Sequence, residues 1–144
     1  MKPGLIVFLT ASLICAPVCP GNSSREIKLI FWIDFDDFMC FSCLESFTEF
    51  CNKLPASFRK NHCLGILVPS SRKNTPDNVS IIKKKLRGFT QANRIDFPII
   101  IDCSRIFSRT VEKSSCLWVL RLKERKWHVH HFPMPAETAE KILK

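Results

Sequence analysis

The most constraining feature of the sequence is an apolar segment that runs directly into a pair of cysteines. Residues 27 to 35, IKLIFWIDF, are rich in β-branched and aromatic side chains, which is typical of a strand buried on both faces of a sheet. From Ser42 onward the apolar positions take a helical spacing, and this spacing ends at Pro55. The sequence therefore predicts a central strand followed by a helix, with Cys40 and Cys43 where the two meet.

The remainder of the chain alternates strand and helix signals and closes with two adjacent strands. Helices are predicted from about Asn78, where a polar loop gives way to an amphipathic stripe, and after Pro135. Four further strands are predicted at 63–70, 97–102, 116–122 and 127–132, the last two separated by the charged sequence KERK. This order predicts an α/β fold with three layers: a mixed central sheet, helices on both faces, and a C-terminal hairpin plus helix.

The first residues have the pattern of an export signal. Lys2 supplies a basic start, an apolar run covers Leu5 to Ile14, and small residues with helix breakers follow in CAPVCPG. We expect a signal peptide over residues 1–21, a linker over 22–25, and a single domain over 26–144. A retained N-terminal anchor or a buried strand is the alternative interpretation of the same segment. Export would place the remaining six cysteines in an oxidising compartment, where disulfides and redox centres are common.

The net charge of the chain limits the classes of partner that we expect it to bind. A formal net charge of +9 favours anionic partners and permits a weak association with membrane surfaces through a basic face. The basic residues are scattered and are not interleaved with exposed stacking aromatics, so we expect no nucleic-acid partner.

The position of Cys40 predicts a reactive thiol. A cysteine in the first turn of a helix faces unpaired backbone N–H groups and the positive end of the helix dipole, which stabilise the thiolate. Cys43 lies one turn further along the same face, where a second thiol can resolve a mixed disulfide. Cys51 lies about 12 Å further along the helix axis, beyond disulfide reach, and is expected to be a core thiol.

Asp34 is the third candidate in this segment, and two interpretations of it stay open. If it is buried within the apolar strand, desolvation raises its pKa and allows it to accept a proton from the resolving thiol. If it lies at the end of the strand, it is solvated like Asp36 and has no catalytic role.

The segment LIFWIDFDDFMCFSC resembles the active-site region of the thioredoxin superfamily. The later segment FPIIID, residues 97 to 102, is similar to the TlpA/ResA branch and to the related redoxin (AhpC/TSA) families. The resemblance implies an exported thiol–disulfide oxidoreductase of the periplasm or another extracytoplasmic space, with no cofactor. Cys40 would be the attacking thiol, Cys43 the resolving thiol and Asp34 the proton acceptor. Its partners would be cysteine-containing envelope proteins and a thiol–disulfide electron donor.

The sequence departs from this family at one position. Thioredoxin-like proteins usually place a cis-proline before the strand that faces the CxxC pair, and here the matching substrate-loop position is Ser115, followed by Cys116. Loss of that proline allows an alternative in which Cys40, Cys43 and Cys116 form a three-thiolate metal site, although no metal is the first expectation. A second alternative is a redox-inactive interaction module in which Cys40 and Cys43 form a static disulfide.

Overall fold

The structure is a computed structural model that describes residues 26–69, 76–107, 115–121 and 124–144. The predicted signal peptide, residues 1–21, and the linker after it lie outside these ranges, so both stay predictions. The strands are β1 (Leu29–Ile33), β2 (Cys63–Leu67), β3 (Ile99–Ile101), β4 (Cys116–Arg121) and β5 (Lys126–His131). The helices are α1 (Phe41–Lys53), α2 (Ala56–His62), α3 (Pro76–Ala92) and α4 (Ala136–Leu143). Within the described ranges, no helix is both long and apolar enough to cross a membrane.

The five strands form one mixed sheet in the order β3-β2-β1-β4-β5. β1 lies at its centre, parallel to β2 and antiparallel to β4. β4 and β5 form the predicted antiparallel hairpin, with Cys116 opposite His131 and Arg121 opposite Lys126. The prediction of a central strand is confirmed, because β1 pairs with a strand on each edge and buries side chains on both faces of the sheet.

The bounds of α1 follow from residues at its two ends. Cys40 is the N-cap, and a 3-10 turn over Asp37–Met39 leads into it from β1. The helix stops at Lys53 because Leu54 precedes Pro55 and adopts an extended conformation with ψ of 135°. The Arg59 guanidinium, from α2, donates to the carbonyls of Cys51 at 3.1 Å and Leu54 at 2.8 Å. These bonds give hydrogen-bond donors to carbonyl groups at the end of the helix, where the Cys51 carbonyl also accepts from the Leu54 backbone N–H at 3.2 Å.

The larger of two buried clusters packs α1 against the sheet through aromatic rings. Phe31 of β1 meets Phe47 of α1 edge-on at 5.5 Å between ring centroids, and it stacks on Phe97 at 4.8 Å. Phe47 also meets Phe132, which follows β5, at 5.5 Å. These ring contacts fix the position of α1 relative to β1.

The second face of the sheet carries a smaller cluster centred on Trp32, Ile66 and Cys116. The side chains packed around these three come from strands or from Val68, directly after β2. Among the described residues, side chains from all four helices join the larger cluster. The mixed sheet, the terminal hairpin and the final helix are confirmed, while helical cover of the second face stays a prediction.

Candidate functional site

Cys40 occupies the junction between the central strand and α1. It is the N-cap residue of the helix, and its side chain is exposed. The backbone N–H groups of the first helical turn have no partner within the helix, and the dipole adds positive potential at the same point. The location predicted from the sequence is therefore the one observed, and it favours a negatively charged sulfur.

Hydrogen bonds lower the pKa of the Cys40 thiol. Its Sγ lies 3.1 Å from the Ser42 hydroxyl oxygen. That hydroxyl is the largest cause of a pKa lowered from 9.0 to about 7, followed by the backbone N–H and then the side chain of Cys43. The lowered pKa makes the Cys40 thiol easier to ionise near neutral pH than an ordinary cysteine, which favours the thiolate.

Cys43 lies one helical turn further on, in a different environment. Its side chain is half-buried and packs against the larger core cluster. Its thiol donates a hydrogen bond to the Phe132 carbonyl oxygen, with 3.7 Å between sulfur and oxygen. The two thiols therefore differ in their surroundings, since Cys40 is exposed and Cys43 is half-buried and donates a hydrogen bond. Their roles as attacking and resolving thiols stay predictions.

The segment whose carbonyl accepts the hydrogen bond from the Cys43 thiol was not predicted from the sequence. Phe132 follows β5, and the peptide bond between Phe132 and Pro133 is cis. The Met134 backbone N–H then donates to the Ser46 hydroxyl of α1 at 2.8 Å. This segment is therefore bonded to α1 beside the cysteine pair. The only signal in the sequence was two prolines within FPMP.

Ser115 joins the end of β1 to the start of β4. Its hydroxyl oxygen accepts a bond from the Asp34 backbone N–H at 3.1 Å, and the hydroxyl lies 3.3 Å from the Asp34 carbonyl oxygen. Ser115 is buried and directly precedes β4, the position at which the family resemblance places a proline. In the described residues the cis peptide bond lies after β5, between Phe132 and Pro133. The substrate-loop role of Ser115 stays a prediction.

Asp34 lies one residue beyond the end of β1 and is half-buried. Its environment is therefore intermediate between the buried and the solvated positions that the sequence left open. Its carboxylate Oδ1 accepts a hydrogen bond from the Asp36 backbone N–H at 2.9 Å. The side chain therefore stabilises the turn that leads to Cys40. Its proton-acceptor role stays a prediction.

Cys116 does not join the cysteine pair. It is fully buried in the smaller cluster, whereas Cys43 packs with the larger cluster on the other face of the sheet. Within the described residues, no group of three or more His, Cys, Asp or Glu side chains is arranged to hold a metal ion. The structure thus brings Cys40 and Cys43 together and separates Cys116 from them, so the three-thiolate arrangement is not formed.

The remaining described cysteines are also thiols. Cys51 is buried in the larger cluster, which confirms its prediction as a core residue. Burial is the main cause that raises the pKa of Cys51 well above its ordinary value and that of Cys63 to about 12. Burial and a raised pKa both disfavour the reactive thiolate form of Cys51 and Cys63.

An apolar rim flanks the Cys40 thiol. Met39 is 86% exposed and Phe41 is 76% exposed, among the large apolar side chains that the structure leaves in solvent. They are the immediate neighbours of Cys40 in the chain. Exposed apolar side chains beside a nucleophile favour contact with an apolar partner surface.

Comparison with known proteins identifies a shared fold. No protein-family model and no curated protein sequence matches the chain. The crystal structure of StoA from Bacillus subtilis is similar: the match covers 85% of each chain, with 14% sequence identity and a TM-score of 0.51. At this identity the likeness establishes architecture. The chain therefore has a thioredoxin-like α/β fold, with Cys40 and Cys43 at the end of its central strand.

Proposed function

We propose that the protein is a thiol–disulfide oxidoreductase of the thioredoxin superfamily that acts on disulfides in other proteins. The observation that supports the proposal best is the difference between two cysteines within one helical turn. Cys40 is an exposed helix N-cap with a pKa of about 7, and Cys43 is half-buried behind it. The thioredoxin-like fold supports the same reaction class.

In the proposed reaction the Cys40 thiolate attacks one sulfur of a substrate disulfide. A mixed disulfide forms, and the second substrate sulfur leaves as a thiolate that takes a proton from solvent. Cys43 then loses its proton, with Asp34 as the proposed acceptor, and its sulfur attacks Cys40. The substrate leaves with two thiols, the protein holds a Cys40–Cys43 disulfide, and a thiol electron donor returns the pair to its reduced form.

The proposed setting is outside the cytoplasm. The export pattern of residues 1–21 supports it, and so do the thiol chemistry and the segment FPIIID, which is similar to the TlpA/ResA branch. Cysteine-containing envelope proteins are the proposed substrates, and the net charge of +9 supports weak attraction to anionic surfaces. Met39 and Phe41 favour substrates whose disulfide is flanked by apolar side chains.

The test is a redox titration combined with a reductase assay on a protein disulfide, using dithiothreitol as the electron donor. We expect a reversible two-electron transition of the Cys40–Cys43 pair. Cys40→Ser should lower the rate to that of dithiothreitol alone, and Cys43→Ser should accumulate the mixed disulfide. Cys103→Ser removes a different half-buried thiol and should keep the activity. A pair that never titrates would overturn the proposal and favour the redox-inactive module.

A further inference from the structure

A basic groove lies beside the edge strand β3, away from the cysteine pair. It has a volume of about 490 Å³ and is largely open to solvent. Its apolar floor comes from residues around the start of β3 and from one residue of α3, and polar side chains of α3 form its rim. The groove is lined by Leu86, Ile95, Phe97, Pro98 and Ile99, with Lys83, Arg87, Thr90 and Asp96.

The backbone of β3 offers hydrogen-bonding groups at this edge. β3 is the last strand on its side of the sheet and pairs only with β2 among the described strands. The Pro98 carbonyl accepts from the Gly65 N–H at 2.8 Å, and the Asp102 N–H donates to the Leu67 carbonyl at 2.9 Å. Because alternate residues of a strand bond to opposite sides, the N–H groups of Ile99 and Ile101 point away from β2. No described residue accepts from either of them.

The charge on the groove is positive. Lys83 and Arg87 form no ion pair with any described residue. Asp96 also lines the groove, but the Arg59 guanidinium already holds its carboxylate through bonds of 2.6 Å and 3.2 Å. That interaction lowers the pKa of Asp96, so its charge is present and neutralised locally. The rim therefore presents two cations without an acidic partner.

We propose that this groove binds an extended segment of a partner protein in which apolar side chains alternate with acidic ones. The segment would add to the sheet as a strand along β3, a known mode of peptide recognition at open sheet edges. Its apolar side chains would enter the groove, and its carboxylates would reach Lys83 and Arg87. A second copy of this chain is disfavoured as the occupant, because it would bring the same basic rim and a net charge of +9.

The test uses an alternating peptide of glutamate with valine and isoleucine, labelled at one end and titrated with the purified protein by fluorescence anisotropy. We expect saturable binding that weakens with added salt. The variant Lys83→Glu/Arg87→Glu should weaken binding by about tenfold or more. Lys53→Glu/Lys85→Glu makes the same change in net charge at two exposed lysines that do not line the groove, and it should leave binding within about twofold.

Two further peptides separate strand addition from simple charge attraction. Methylation of every backbone nitrogen removes the N–H donors of the peptide and adds bulk at both of its edges, so it should abolish pairing with β3 and with it binding. A lysine version of the peptide should not bind. Equal weakening by both charge variants, or full binding of the methylated peptide, would overturn the proposal. Concentration-dependent dimerisation abolished by Lys83→Glu/Arg87→Glu would overturn it in favour of a second copy.

The groove and the oxidoreductase proposal are tested separately. None of the residues lining the groove contacts Cys40 or Cys43 in the described hydrogen bonds. Cys40→Ser should therefore leave peptide binding unchanged, and Lys83→Glu/Arg87→Glu should leave the redox titration of the cysteine pair unchanged. Loss of peptide binding in Cys40→Ser would contradict the assignment of the peptide to this groove.

Discussion

Cys40 and Cys51 belong to the two ends of one helix, and the protein gives their identical thiols opposite chemistry. Cys40 caps the start of α1 in solvent, where hydrogen bonds lower its pKa to about 7. Cys51 lies near the other end, where burial raises the pKa well above its ordinary value and the nearby Cys63 raises it further. The ionisation of these two thiols therefore depends on position along the helix and on access to water.

The largest expected effect is a difference in alkylation rate within the native protein. At pH 7 we expect iodoacetamide to modify Cys40 at least about 100-fold faster than Cys51 or Cys63, because their thiols are buried and protonated. Mass spectrometry of timed samples would measure the three rates. In urea the three thiols should react at similar rates, which controls for local sequence. Comparable native rates at Cys40 and Cys51 would contradict the contrast.

Two glycines, one in a crowded position and one in open space, allow the same comparison between buried and exposed sites. A Cβ at Gly65, in β2, would lie 2.8 Å from Ile99 Cγ1 and 3.2 Å from Phe97 Cε2, whereas one at Gly88, in α3, meets nothing within 4 Å. We expect Gly65→Ala to lower the free energy of unfolding by about 1–3 kcal/mol through overpacking. Gly88→Ala should raise it by about 0.5–1 kcal/mol through helix propensity. Urea denaturation would measure both, and stabilisation by Gly65→Ala would contradict the close approach of β2 and β3.

The buried thiol of Cys63 predicts how the stability of the protein changes at alkaline pH. Its folded-state pKa is raised to about 12 from an ordinary 9.0, so the folded protein retains a proton that the unfolded chain releases. The stability from this group is therefore present below pH 9 and is lost as the pH rises toward about 12. The loss approaches about 1.4 kcal/mol per pH unit in that window. Urea denaturation from pH 8 to 11 should show a shallower decline for Cys63→Ala than for the wild type, and equal slopes would refute the assignment.

The smallest expected effect concerns the hydroxyl beside Cys40. Ser42→Ala removes the largest cause of the lowered pKa, so the midpoint of Cys40 alkylation should move upward from about pH 7. It should stay below 9 because the bonds from Cys43 remain. The resulting loss of thiolate at pH 7 is expected to be less than about tenfold. Thr48→Ala, whose hydroxyl bonds to the Glu45 carbonyl, is the matched control on the same helix. If the midpoint of Cys40 alkylation is unchanged in Ser42→Ala, the Ser42 hydroxyl does not cause the low pKa, and the backbone N–H groups would be its cause.

Sequence reasoning was most successful where structure follows from neighbours in the chain. The apolar run from residue 27, the helical spacing after Ser42 and the break at Pro55 located β1 and α1, since each signal is local. The short helix α2 was missed because it buries no residue fully and carries no long apolar stripe. The observed elements otherwise follow the predicted order of strands and helices.

The sequence alone determined that Cys40 begins a helix and that Cys43 follows one turn later, because helix geometry depends on local spacing. The surroundings of these thiols depend on the tertiary fold. The Phe132 carbonyl reaches Cys43 from 89 residues away, and Ser115 reaches Asp34 from 81 residues away. Cys116 faces the opposite side of the sheet from Cys43 because strand order and register place it there. Burial and long-range partners arise from packing between distant segments, and local periodicity carries no information about which segments meet.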